Sequence, residues 1–196
     1  MDTRSQSLLL SALSRWAPLG QTDLVHALDD VTVHAHQPLE NLFCSGDVVL
    51  DVHFVLDGIG RYFYLDEQGN ERNKSLVTTG GAFASLSSLV EASPSPFFAQ
   101  TLTPCTTASI RYERLVALSR IHPNWAEFLR TLLERLVLKK ERREAGFLLL
   151  NAKQRYQQFL HEFGHDSDRI PLRHVAMYIG VTDVTLSRIR REMGLT

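Results

Sequence analysis

Two short runs of this chain carry side chains at spacings that could do chemistry. Near the C-terminal end, Thr182-Asp183-Val184-Thr185 is followed by Arg188 and Arg191. On a helix whose Leu186 and Ile189 face inward, these hydroxyls and guanidinium groups face outward together. Hydroxyls at a helix N-terminus suit phosphate oxygens, and an arginine donating two hydrogen bonds suits a guanine edge. In the other run, His34, His36 and Glu40 have nearly the H-x-H-x3-E spacing that brings three ligands to one metal. No second well-placed histidine motif follows it, and His53 comes too early. The pair therefore reads first as alternate residues on one solvated strand face. No G-x-S-x-G motif, P-loop or cysteine cluster for iron and sulfur is present, so no enzyme class, metal or cofactor is indicated.

The C-terminal run needs two crossing helices to present it. In Val175-Ala176-Met177-Tyr178-Ile179-Gly180-Val181-Thr182, a small residue at Ala176 permits a close crossing. Gly180, four residues on, suits a turn with positive φ, and Thr182 caps the second helix. This is a helix-turn-helix pattern. Before it, Asn151 and Gln154 form a capping-box start, with Tyr156, Phe159, Leu160 and Phe163 on one buried face. Gly164 closes that helix, and Pro171 opens the next. His161, His165 and His174 read as surface residues of this module.

Upstream, Pro123 and Asn124 open a long helix. Phe128, Leu129, Leu132, Leu133 and Leu136 form an apolar stripe on it, uninterrupted by glycine or proline until Gly146. A stripe of that length wants a partner helix, which predicts a homodimer joined mainly along the first half of the helix. The alternative is that the helix packs on its own chain.

From Val31 to Ile110 the grammar is short β-rich runs between turn residues. Strands are predicted at Val31–Val33, Leu39–Phe43, Val52–Leu56, Gly60–Leu65, Asn73–Val77, Phe97–Thr101 and Thr106–Ile110. Strands at this spacing argue for a jelly-roll barrel, hence an α+β chain. Two short helices precede it, one carrying Leu8, Leu9, Ala12, Leu13 and Trp16, the other starting at Thr22. The expected division is a sensor barrel with its helices over 1–122, a dimerisation helix and hinge over 123–150, and a helix-turn-helix module over 151–196. Charge follows it: residues 1–110 carry a net of −7 and residues 111–196 a net of +6. The positive module suits a polyanion.

No apolar run reaches the ~20 residues that span a bilayer, and Leu8-Leu9-Leu10 is too short for a signal peptide's apolar core. Cys44 and Cys105 lie far apart, as two buried thiols in a reducing cytoplasm would.

The order acidic barrel, long helix, helix-turn-helix resembles the cyclic-AMP receptor protein/FNR (Crp/Fnr) superfamily. His53-Phe54-Val55-Leu56-Asp57-Gly58 and Tyr62-Phe63-Tyr64-Leu65-Asp66-Glu67-Gln68-Gly69-Asn70-Glu71 are similar to its barrel signature, and Arg155 through Leu160 and Arg169 through Arg190 to its C-terminal module. The resemblance implies a cyclic-nucleotide-binding-type barrel, dimerisation through the long helix and binding of double-stranded promoter DNA, with RNA polymerase and a small-molecule effector as further partners. It implies a ligand pocket at Phe83, Ala84, Ser85, Leu86, Pro96, Phe97 and Phe98. Ser85 stands where cyclic-AMP-binding members carry a glutamate, and Pro96 or Phe97 where they carry the arginine that pairs the cyclic phosphate. A buried phosphate without that cation is costly, so cyclic AMP is not expected to bind. Arg188 matches the family's base-reading arginine, whereas Asp183 and Val184 depart from it. The residues after the last helix are too few for the β-hairpin wing of longer members. Two other readings stay open: a cupin-like metal enzyme, and an adaptor of the same fold that does not bind DNA.

Overall fold

The structure is a computed structural model that describes residues 3–195. Met1 and Thr196, the outer limits of the first and last expected domains, lie outside the described residues. The chain starts with α1 (Thr3–Leu13), α2 (Gln21–Val25) and a 3-10 turn (Leu28–Asp30). Eight strands follow: β1 (Thr32–His36), β2 (Asn41–Phe43), β3 (Asp51–Asp57), β4 (Ile59–Leu65), β5 (Glu71–Thr78), β6 (Ala82–Phe83), β7 (Phe98–Thr101) and β8 (Cys105–Arg111), with α3 (Leu86–Glu91) between β6 and β7. The remaining helices are α4 (Tyr112–Ile121), α5 (Pro123–Leu149), α6 (Ala152–Phe163), α7 (Leu172–Ile179) and α8 (Asp183–Glu192).

The strands form two antiparallel four-stranded sheets, ordered β1-β8-β3-β6 and β2-β7-β4-β5. Phe43, Val55, Val77, Phe83, Phe97, Ala99 and Cys105, drawn from both, fill the space between them. This is a jelly roll inside an α+β chain, as the strand spacing predicted. Strand β3 reads as a near-continuous apolar run because it is buried on both faces. Val55 points into the jelly roll, while Val52, Phe54 and Leu56 meet a second core of α1, α4 and α5.

The sequence pattern does not show β6, α3 or α4. With two residues, β6 is too short to show a period. The residue pattern marks no element over 111–122, where Leu115 and Leu118 are buried three residues apart. Helix α5 then starts on Pro123, where a missing backbone N–H costs nothing. In α2, Leu24 turns inward and Val25 faces solvent, and Gly20, not Thr22, is the N-cap.

The C-terminal helices close a third core. Tyr156, Phe159, Phe163, Val175, Ala176, Ile179, Leu186 and Ile189 pack together, and Ile59, Leu76 and Leu102 of the jelly roll join them. The capping box is made in both directions: Gln154 N donates to Asn151 Oδ1 at 3.0 Å and Asn151 N to Gln154 Oε1 at 2.9 Å. The helical module therefore sits on the jelly roll of its own chain.

Candidate functional site

Thr182 caps α8, its Oγ1 accepting from Thr185 N at 3.2 Å. Gly180, at φ +73, makes the turn before it; a Cβ there would be left-handed and 2.7 Å from the Phe147 ring. Leu186 and Ile189 hold α8 onto α7. Thr182, Asp183, Val184, Arg188 and Arg191 are all exposed, and Thr185 is half-buried at the first turn. The Arg188 side chain reaches solvent, with only a distant contact, 3.9 Å, to Glu192. Five of the six expected contact residues are thus exposed on α8 and its cap, and Thr185 lies at the edge of the buried side. Arg190 does not join them: it turns inward to donate to Tyr156 Oη at 2.6 Å and Leu195 O at 2.7 Å.

The stripe on α5 divides, and two of its five residues are corrected. Phe128 and Leu132 are buried against the chain's own jelly roll, the Phe128 ring meeting Phe54 edge-on at 5.6 Å. They cannot serve a partner. Leu129 sits at the edge of that core, Leu133 is half-buried, and Leu136 and Val137 are 41% and 62% exposed. Residues 129, 133, 136 and 137 fall on one flank of the helix, turned from 128 and 132. Leu148, also exposed, extends this flank toward the helix end.

The seven expected pocket residues do not converge. Phe83 and Phe97 point into the jelly roll, where Tyr62 meets them edge-on at 5.3 and 5.2 Å and Phe43 packs 6.0 Å from Phe97. The Tyr62 hydroxyl accepts from Ala84 N at 2.6 Å and lies 3.1 Å from Ala82 O, so the segment before α3 is tied down by a ring from β4. Ser85 is buried, 3.2 Å from Ser87 Oγ, rather than facing an open space. Leu86 and Pro96 are exposed, and Phe98, one residue from Phe97, points to the opposite sheet face and stacks on Phe63 at 4.9 Å. Lys74 Nζ sits 3.4 Å over the Phe97 ring; burial brings its pKa down to about 8.

The metal-like spacing is spent on hydrogen bonds. His34 Nε2 pairs with Ser109 Oγ at 3.2 Å, and His36 lies between Glu40 Oε1 at 2.8 Å and Thr107 Oγ1 at 3.0 Å. Among the described residues, no three His, Cys, Asp or Glu side chains are grouped to hold a metal ion. Among them, too, no helix is long and apolar enough to cross a membrane. Cys44 and Cys105 are both free thiols, but only Cys105 is buried.

His174, expected at the surface, is instead buried between α7 and the jelly roll. Arg61 on β4 organises this contact. Its guanidinium donates to Glu71 at 2.6 and 2.9 Å, to Gln100 Oε1 at 2.7 and 3.0 Å and to Asn73 Oδ1 at 3.2 Å, and lies 3.3 Å from His174 Nδ1. Asn73 Nδ2 donates to the His174 carbonyl at 3.0 Å. Nothing in the local sequence at Arg61 or His174 announces this pairing across 113 positions. Burial, and then the charges of Arg61 and Arg173, lower the His174 pKa to about 4. A free histidine titrates near 6.5, so between these values the unfolded chain binds the extra proton and stability falls as pH falls. Lowering the pH from 7 to 4.5 should cost about 2–3 kcal/mol through this residue. Melting curves of wild type and His174→Gln test it; equal pH slopes for the two would refute it.

No protein-family model and no curated protein sequence matches the chain. Solved structures do. The c-di-GMP responsive global regulator CLP of Xanthomonas campestris has a TM-score of 0.70 at 17% identity, over 89% of this chain and 92% of its own. FixK2 of Bradyrhizobium japonicum has a TM-score of 0.72 at 17% identity, over 84% of each chain. The catabolite activator protein of Thermus thermophilus has a TM-score of 0.57 at 21% identity, over 93% of this chain and 86% of its own. Matched over this much of its length, the chain has the Crp/Fnr-like fold.

Proposed function

We propose that the chain is a DNA-binding transcription regulator, not an enzyme, that reads a palindromic site as a homodimer in the cytoplasm. The observation that carries this is the outward face of α8: Thr182 and Thr185 at its N-terminus, Arg188 and Arg191 further along, over a buried Leu186 and Ile189. Thr182 and Thr185 bond phosphates, aided by the positive end of the helix dipole. Arg188 donates two hydrogen bonds to a guanine. Asp183 and Val184 lie at the same edge and help set which sequence is read. The net of +6 over residues 111–196 draws the module to a polyanion. A partner helix covering Leu133, Leu136 and Val137, with Leu129 at its edge, presents two α8 helices to two half-sites.

Arg188→Ala is expected to cost about 1–3 kcal/mol on the preferred duplex and to relax discrimination at one base pair per half-site. Arg191→Ala should weaken all duplexes alike and lower the salt slope by about one unit. Binding series on specific and scrambled duplexes at several salt concentrations separate the two roles. Equal losses from Arg188→Ala on both duplexes would reduce it to a phosphate contact. No binding to any duplex at low salt would leave the adaptor reading in place of the regulator.

The jelly roll belongs to a sensor type, yet its interior is filled by Phe43, Tyr62, Phe83 and Phe97. We infer that cyclic AMP does not bind there: Ser85 and Pro96 supply neither the carboxylate nor the cation, and the rings would have to move. Calorimetry should give no complex tighter than about 1 mM. A micromolar complex would refute this.

A further inference from the structure

A cavity of about 620 Å³ lies between the second half of α5, helix α6 and the end of α7. That is within the size range of small-molecule sites. Arg135, Lys139 and Arg142 line it at four- and three-residue steps, on a flank of α5 turned away from Leu133 and Val137. With Arg143 and Arg155 they make five cations against one carboxylate, Glu162, a formal excess of four charges. Glu162 is already engaged, by Lys139 Nζ at 3.1 Å and by Tyr178 Oη at 3.0 Å.

Lys139 is paired with Glu162 and Arg135 donates to the Arg15 carbonyl, but Arg143 and Arg155 are positioned without being neutralised. Arg143 donates to Tyr178 O at 2.7 Å and to Asn73 O at 3.0 Å. Arg155 donates to Leu150 O at 2.7 Å and to Ile179 O at 2.8 Å. Backbone carbonyls fix the direction of a guanidinium but leave its charge, and a partly enclosed space makes that charge felt. Burial already pulls the Arg143 pKa below its usual value. Between Arg143 and Arg155, 4.8 and 5.3 Å from their guanidinium carbons, lies the Phe147 ring, 42% exposed. Gly146 beside it is buried and faces the Gln158 side chain of α6.

We propose that this cavity binds a small phosphorylated anion of the nucleoside diphosphate class, its phosphates among the guanidinium groups and its base against Phe147. The site is separate from the jelly-roll interior. Its walls are α5, before the break at Leu150 and Asn151, and α6 and α7 after it, so an occupant bridges the two sides of that junction and bears on how α8 is held.

The test is calorimetry on the full chain without DNA, using ADP, inorganic pyrophosphate and adenosine as probes. The expected result is one ADP per chain, bound at least about threefold tighter than pyrophosphate, with adenosine silent. Arg142→Glu should weaken ADP about tenfold or more. Arg142 is exposed and makes no hydrogen bond or ion pair among the described residues, so this variant keeps the fold, which melting curves verify. Phe147→Ala should erase the advantage of ADP over pyrophosphate. The proposal is overturned by absent saturable heat with both phosphates, by Arg142→Glu binding ADP as wild type does, or by ADP no tighter than pyrophosphate. A DNA duplex that displaces ADP one for one would assign the cavity to the DNA backbone and overturn it as well. Because the ADP and pyrophosphate titrations themselves contain no DNA, their failure and a failure of the regulator reading are separate results.

Discussion

Arg61→Leu should lower the unfolding free energy of the chain by about 2–4 kcal/mol, measured by urea denaturation. The side chain is 1% exposed, yet it carries a full charge satisfied by Glu71, Gln100 and Asn73. Removing it strips hydrogen-bond partners from Asn73, which is buried, and from Gln100. Glu71 is partly exposed and recovers water, which holds the loss below that of a fully buried broken pair. The guanidinium also lowers the Glu71 pKa, chiefly by hydrogen bonding, so part of this stability disappears as acid protonates the carboxylate. Because Arg61 lies 3.3 Å from the His174 ring, the α7 amides should exchange faster in the variant, and the His174 pKa should rise once a neighbouring positive charge is gone. A loss under about 0.5 kcal/mol, with unchanged exchange in α7, would show that apolar packing alone holds the helical module on the jelly roll.

The second large effect concerns assembly. Changing Leu133 and Val137 together to Asp should convert a dimer into monomers in light scattering at micromolar concentration. It should weaken binding to a palindromic duplex by about a hundredfold or more, because two half-sites are then no longer engaged by one particle. These positions replace the pair Leu132 and Leu136 that the apolar stripe alone would suggest. Leu132 is 4% exposed and belongs to the core under α5, so an aspartate there would unfold the jelly roll and say nothing about a partner. Leu133 and Val137 lie on the open flank, where a carboxylate stays hydrated in the monomer and is buried only by a partner. Wild type already monomeric at that concentration, or a double variant that stays dimeric with full DNA affinity, would end the dimer reading.

The contrast between Leu132 and Leu133 shows where sequence information stopped. Much of what is set by neighbours along the chain was legible. The alternation and turn residues of 31–110 named the jelly roll, Asn151 with Gln154 named a cap, and Ala176, Gly180 and Thr182 named the turn between α7 and α8. Each of these depends on a few consecutive residues and a fixed period, so the order of residues determines it. The outward set on α8 was legible for the same reason: once Leu186 and Ile189 face in, geometry turns Arg188 out. Residues that meet across long separations were not. The face of α5 given to the jelly roll, the filling of its interior by Tyr62, and the burial of His174 against Arg61 were decided by how the elements pack. So was the gathering of Arg135, Lys139, Arg142, Arg143 and Arg155 around one cavity, since a charged residue on a helix reads as a solvated face until a second helix closes over it. Periodicity specifies that a helix has an apolar side; only three-dimensional packing specifies what that side touches.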